Sequence, residues 1–286
     1  MSGEAEAQKT VLFKVEGPVA TITLNRPTRG NAITLSMREE FLKALSAVEK
    51  TAEVRVVVLT GSGKFFCTGM DLRADDQEDL RARVDAETAA FQTLKMFEKL
   101  KTFKKPVIAK INGPALGGGV GLVFASDYRL SLRSNFVAFP EVQRGIVPAL
   151  ISSIIVPQLG SFQTQQLMMS AQRLSADRLY ELGQLTKVVD DAAALDAAVD
   201  EIVQQLLSCA PGAVSKTKEL CQFVSNHSFE ENLSYTRSVF NEMFNSDEAV
   251  HGITQFTQKK TPDWGAFVRD QQRLKRQELE PPRPRL

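Results

Sequence analysis

The chain reads as an α/β protein that builds its sheet early and ends in helices, and three observations predict this. Strand-like runs at 11–15, 20–24, 54–60 and 107–111 alternate with helix-period segments at about 35–50, 82–103 and 117–125. After Ala149 the apolar spacing is nearly all helical. Between the two regimes stands Ala115-Leu-Gly-Gly-Gly-Val-Gly121, where an apolar run beginning at Pro106 feeds a helix.

Each element follows from its residues. Val54-Arg-Val-Val-Val-Leu-Thr60 is β-branched and bounded by Gly61, the profile of a parallel strand buried on both faces. In the segment Phe65-Phe-Cys-Thr-Gly-Met-Asp-Leu72, Gly69 frees the chain to turn and aim the N–H of Met70 outward. The run Pro106-Val-Ile-Ala-Lys-Ile-Asn-Gly113 is the strand that leads into the glycines. Three consecutive glycines strip one backbone patch of side chains, so a substrate atom can reach main-chain N–H groups where a helix begins and its partial positive charge sits. Tight packing of helix on sheet explains the same run equally well.

Two other glycine-based sites are excluded by spacing. Neither this run nor Gly61-Ser-Gly-Lys64 has the Gly, four residues, Gly-Lys-Ser/Thr pattern of a P-loop, and a dinucleotide fingerprint needs a glycine where Leu122 stands. A third segment, Phe136-Val-Ala-Phe-Pro-Glu-Val-Gln-Arg-Gly-Ile-Val-Pro148, carries one carboxylate, Glu141, among apolar residues. Its neighbours Phe139, Pro140, Val142 and Ile146 would desolvate it and raise its pKa. From the residues alone, a surface pair with Arg144 is the simpler reading.

Composition bounds the function. The 286 residues, 43% of them hydrophobic, suffice for one large domain and a helical tail without disulfides. With 35 basic against 34 acidic residues the net charge is +1, which argues against nucleic acid or an anionic membrane as partner. Cys67, Cys209 and Cys221 form no Cys-x-x-Cys, and with only His227 and His251 there is no metal-ligand spacing. Both histidines are expected on the surface. The N-terminus lacks the apolar core of a secretory signal, and no span of eighteen apolar residues suggests a membrane helix.

These three segments, in this order and together with Ala20-Thr-Ile-Thr-Leu-Asn-Arg-Pro-Thr-Arg-Gly-Asn-Ala-Ile33, resemble the crotonase superfamily of enoyl-CoA hydratases and isomerases over about residues 10–264. The resemblance implies a spiral of ββα repeats, with C-terminal helices that build a homotrimer or a hexamer. It divides the chain into a flexible start at 1–9, a spiral core at 10–200, a helical region at 201–264, and an added charged helix with a Pro-rich tail at 265–286.

The resemblance also implies an acyl-CoA thioester as substrate, with coenzyme A brought by that substrate and no further cofactor. The N–H groups of Met70 and Gly118 would form an oxyanion hole for the thioester enolate, and Glu141 would transfer protons. Thr68, Gly69, Leu72 and Gly117 would contact substrate, and Asp71 there would chiefly fix its loop. Arg29 and Arg73 would meet phosphates, the backbone at Ala32 would face adenine, and Phe240 and Lys259 would reach the nucleotide from a neighbouring subunit. The apolar stripe 229–244 would pack at the trimer interface or in the core.

One departure from the family pattern decides the expected reaction. Hydratases carry a second glutamate at the position of Gly121, and the pair activates water. A lone Glu141 can move a proton between carbons, which points to a Δ3,Δ2-enoyl-CoA isomerase of fatty-acid β-oxidation. The alternatives are a hydratase or dehydratase using Asp75 or Glu78 as substitute acid, a decarboxylase, and a silent acyl-CoA-binding scaffold. The closing Pro284-Arg285-Leu286 resembles a variant peroxisomal address read by an import receptor, against a cytoplasmic alternative.

Overall fold

The computed structural model describes residues 9–72 and 86–279. Its main sheet has six strands in the order β1-β2-β3-β4-β6-β9, formed by β1 (Val11–Glu16), β2 (Val19–Leu24), β3 (Val56–Gly61), β4 (Val107–Ile111), β6 (Tyr128–Leu132) and β9 (Lys187–Val189). The β1–β2 pair is antiparallel, and every later pair is parallel. A smaller sheet holds β5 (Ala115–Leu116), β7 (Phe136–Ala138) and β8 (Leu174–Ser175) in the order β5-β7-β8. Isolated bridges Ile33 to Met70 and Cys67 to Ala115 continue this second ladder, so successive turns of chain visit both sheets.

The alternation of side chains explains why β3 is apolar throughout. Val57 and Leu59 enter a large core with Phe41, Phe97, Phe124 and Ile151, whereas Val56 and Val58 point to the opposite face, against Leu195, Val199 and Ile202. The first core lies under α1 (Leu35–Lys50), α2 (Ala86–Lys101), α3 (Gly118–Ala125) and α4 (Ala149–Leu159), and the second under α7 (Ala192–Leu207). Thr34 starts α1 by accepting the Met37 amide at 3.2 Å.

The predicted strands and helices fall where expected, α1 to the residue, although the start of the 82–103 segment lies outside the described residues. Strands β5, β6, β7, β8 and β9 are additions, and two of them, β8 and β9, interrupt the region expected to be nearly all helical. They are three to five residues long or shorter, too short to carry a periodic signal of their own. The chain continues through α5 (Ser161–Ser170), α6 (Ala176–Glu181), α8 (Pro211–Val224), α9 (Phe229–Phe244), α10 (Asp247–Thr257) and α11 (Trp264–Leu279). A capping box between Ser228 and Glu231 opens α9.

The expected surface position holds for His227 and fails for His251. His227 is exposed and stacks on Phe223, but the His251 ring lies against Trp264 and Phe267 with its Nε2 buried. The added helix α11 supplies that cover. On α9, Val239 is buried while Leu233, Phe240 and Phe244 are exposed. The stripe 229–244 is therefore no core stripe within a single chain. Residues 1–8 and 280–286, with the Pro-Arg-Leu end, lie outside the described residues. Among the described residues no helix is long and apolar enough to cross a membrane.

Candidate active site

A break in ladder alternation at one glycine leaves an amide without a backbone acceptor among the described residues. The segment 67–71 runs between 30–33 on one side and 115–116 on the other: the Thr68 amide donates to the Gly30 carbonyl at 3.0 Å, and the Leu116 amide donates to the Cys67 carbonyl at 2.9 Å. Regular parallel alternation would next send the Met70 amide to the Ala32 carbonyl. Gly69, at φ +88°, breaks that alternation: the ladder resumes with the Asp71 amide donating to the Ile33 carbonyl at 3.0 Å, while the Ala32 carbonyl accepts from Arg26 Nη1 at 2.7 Å. Among the described residues the Met70 amide meets no backbone acceptor.

The second amide is free for a different reason. Gly118 is the first residue of α3, and the opening N–H groups of a helix have no partner within it. A Cβ on Gly118 would lie 3.7 Å from the Met70 nitrogen, and one on Gly69 would lie 3.0 Å from the Gly118 nitrogen. The two donors therefore sit side by side where the helix dipole is positive.

Glu141 is carried by a 3-10 turn, Pro140–Arg144, that follows β7 and closes at Gly145, φ +72°. Its carboxylate covers Gly117, where a Cβ would come within 2.7 Å of Oε1. Gly117 has φ +48° and ψ −120°, a conformation that L side chains disfavour. Oε2 is buried and has no hydrogen-bond partner. Burial pushes the Glu141 carboxyl above its usual range, against the smaller opposing effects of its own backbone amide and Arg144. The Arg144 guanidinium donates to the Pro140 carbonyl at 2.9 Å.

The glycines divide by role along α3. Gly117 admits the carboxylate, whereas a Cβ on Gly119 would meet the Cys67 carbonyl oxygen at 2.2 Å. Gly119 is thus a packing glycine, and so is Gly121. A Cβ on Gly121 would lie 2.6 Å from Ile151 Cγ2 and 3.0 Å from two atoms of the Phe97 ring. Residues 117 and 121 are four apart, so they present one helix face a turn apart. The first position is covered by a carboxylate and the second by hydrocarbon.

A cavity of about 590 Å³ joins these groups. Of the predicted site residues, Arg29, Ala32, Thr68, Gly69, Met70, Asp71, Leu72, Gly117, Gly118 and Glu141 line it. Phe240 and Lys259 do not: Phe240 lines a separate groove on the C-terminal helices, and Lys259 is exposed just past α10. Arg73, Asp75 and Glu78 lie outside the described residues.

Asp71 and Glu141 are the carboxylates among the described lining residues. Asp71 is held by Arg26 Nη1 at 2.8 Å, and that same nitrogen donates to the Ala32 carbonyl at 2.7 Å. Asp71 therefore ties its loop to 26–32. Sequence reasoning missed this role for Arg26, and also that of Asn31. Asn31 is fully buried at φ +54°, and its amide donates to the carbonyls of Ser62, Phe65 and Phe66. The signal was an asparagine in a turn, the residue type that tolerates this conformation best after glycine. No sequence signal marked Phe97 or Ile151, which come from two distant helices.

Comparison with known proteins gives these groups a context. The family model described as enoyl-CoA hydratase/isomerase matches residues 14–267. An enoyl-CoA hydratase of Alternaria alternata is 35% identical over 236 residues, covering 82% of this chain and 77% of that protein. A peroxisomal Delta(3,5)-Delta(2,4)-dienoyl-CoA isomerase of Arabidopsis thaliana is 30% identical over 263 residues, covering 86% of this chain and 92% of that one. Among solved structures, AtuE of Pseudomonas aeruginosa superposes with a TM-score of 0.84 at 30% identity, covering 90% of this chain and 99% of the other.

Proposed function

The chain belongs to the enoyl-CoA hydratase/isomerase family, and from that premise we propose that it is a Δ3,Δ2-enoyl-CoA isomerase acting in fatty-acid oxidation. One observation carries the reading: among the described residues the cavity brings together two free amides and a single unpaired carboxylate, Glu141, while the place of a second carboxylate at Gly121 is filled by Ile151 and Phe97. Its relatives include both a hydratase and an isomerase by name, so similarity alone does not choose between them.

In the proposed mechanism the thioester oxygen accepts from the Met70 and Gly118 amides. Glu141 removes a proton from C2 of a 3-enoyl-CoA, and the negative charge that develops on the oxygen is met by fixed donors that need no reorganisation. Each such donor is worth about 3 kcal/mol in the transition state. The same carboxyl returns the proton to C4, the double bond moves to C2–C3, and no atom is gained or lost. Desolvation favours this shuttle, because a carboxyl with a raised pKa gives and takes its proton nearer neutral pH.

On the nucleotide side, Arg29 and the Ala32 backbone line the mouth and are assigned to coenzyme A. Phe240 and Lys259 reach a site only if a neighbouring copy brings them, and the exposed Leu233, Phe240, Phe244 and Ile253 are the apolar surface such a homotrimer would cover. Peroxisomal placement draws on the likeness to the peroxisomal Arabidopsis relative, and is tested by imaging the full chain with a fluorescent protein fused to its N-terminus. For the reaction itself the test is incubation with 3-hexenoyl-CoA, following conjugation by ultraviolet absorbance. Appearance of the 2-enoyl product in wild type and its loss in Glu141→Gln support the reading, and full turnover in that variant removes Glu141 as base.

A further inference from the structure

We propose that Ile151 and Phe97 set the chemistry of this cavity by keeping the space beside Glu141 dry, so that it takes acyl thioesters bearing no oxygen on C3 and rejects their 3-hydroxy counterparts. The inference rests on the reading of the cavity as an acyl-thioester site, and it concerns residues from two helices that the reaction itself does not employ.

Gly117 and Gly121 share one buried face of α3 over its first two turns. Gly117 and Gly121 are separated by one helical turn, roughly 5.4 Å, and both lack a side chain. Glu141 closes over the first, with Oε1 2.7 Å from where a Cβ would stand. Over the second come Ile151 Cγ2 at 2.6 Å and the Phe97 ring at 3.0 Å. Ile151 and Phe97 are almost wholly buried, at 2% and 1% exposure, yet both reach the cavity wall. A water or hydroxyl placed one turn from Glu141 on this face would therefore meet methyl and ring carbons, with Glu141 Oε2 as the unsatisfied buried side-chain atom beside it among the described residues. Polar groups buried without partners are disfavoured enough to change affinity by about fivefold to a hundredfold.

The same contacts explain why restoring a carboxylate is not a one-residue change. A glutamate at 121 would have to begin from a Cβ inside the contact distance of Ile151, and Ile151 lies in a core that includes Phe124 and Ile155. Room for it requires a cut at 151 as well as the addition at 121. Hydration would then add hydroxide to C3 and a proton to C2 of a 2-enoyl-CoA, with water as the only co-reactant.

The experiment compares binding and reaction in three proteins: wild type, Ile151→Ala and Gly121→Glu/Ile151→Ala. Calorimetric titration with hexanoyl-CoA and with 3-hydroxyhexanoyl-CoA should show wild type preferring the former by at least about fivefold, with the preference reduced in Ile151→Ala. Equal affinity of wild type for the two ligands overturns the proposal. The double variant should hydrate crotonyl-CoA while Gly121→Glu alone does not; comparable hydration by Gly121→Glu alone also overturns it. A double variant that fails to melt cooperatively is set aside, and the wild-type binding ratio decides. Absence of 3-hexenoyl-CoA turnover in wild type with the binding preference intact would sink the isomerase reading while leaving this inference standing.

Discussion

Gly117→Ala and Gly119→Ala, two residues apart in one glycine run, should fail in different ways. At 117 the added methyl falls 2.7 Å from Glu141 Oε1, the free end of a side chain that can retreat by several tenths of an ångström. The backbone at φ +48° is also strained for alanine, at about 1–3 kcal/mol. A misplacement approaching 1 Å of a catalytic group costs about a hundredfold in rate. The expected result is a large loss of kcat with a moderate drop in stability. At 119 the methyl falls 2.2 Å from the Cys67 carbonyl oxygen, which is held by the Leu116 amide at 2.9 Å and cannot retreat without opening that bridge. Overpacking of this kind costs about 1–3 kcal/mol and sometimes more, so Gly119→Ala should lower thermal stability or yield. Denaturant titration and steady-state kinetics on 3-hexenoyl-CoA separate the two. Unchanged kcat in Gly117→Ala, or a fully stable Gly119→Ala, would refute the division of roles.

Further outcomes follow from the same geometry. Because burial raises Glu141, its folded-state pKa lies above the unfolded one; the destabilisation is absent below the unfolded value and complete once pH exceeds the folded value. Glu141→Gln should thus melt higher than wild type near neutral pH while losing turnover, and wild-type kcat/KM should fall on acidification with a midpoint above the usual carboxylate range; a lower melting point for the variant would contradict this. Arg26→Ala removes the guanidinium that donates to both the buried Asp71 carboxylate and the Ala32 carbonyl and should cost about 1–3 kcal/mol, read by urea unfolding. Cys67 is fully buried with its thiol pushed up to about 12, so native labelling with a thiol reagent should modify Cys209 and Cys221 and spare it; labelling of Cys67 before unfolding would show that core to be open. In sedimentation, Phe240→Asp with Phe244→Asp should dissociate the proposed trimer, and an unchanged mass would redirect that assignment.

Local information was enough for much of this. The both-faces-apolar strand 56–61, the glycine that turns the chain before Met70, and the carboxylate at 141 among apolar neighbours are all stated by contiguous residues, because backbone freedom and side-chain period are local properties. What each glycine is for was not legible. The run 117–121 contains one position that yields to a carboxylate, one that abuts a carbonyl and one that abuts an isoleucine, and those neighbours arrive from residues 141, 67 and 151. Likewise the sequence states that Gly121 lacks an acid, but only packing reveals that Ile151 and Phe97 have taken its volume. Long-range contacts decide such matters because a side chain's environment is fixed by whatever the fold brings against it, and sequence separation carries no record of that approach.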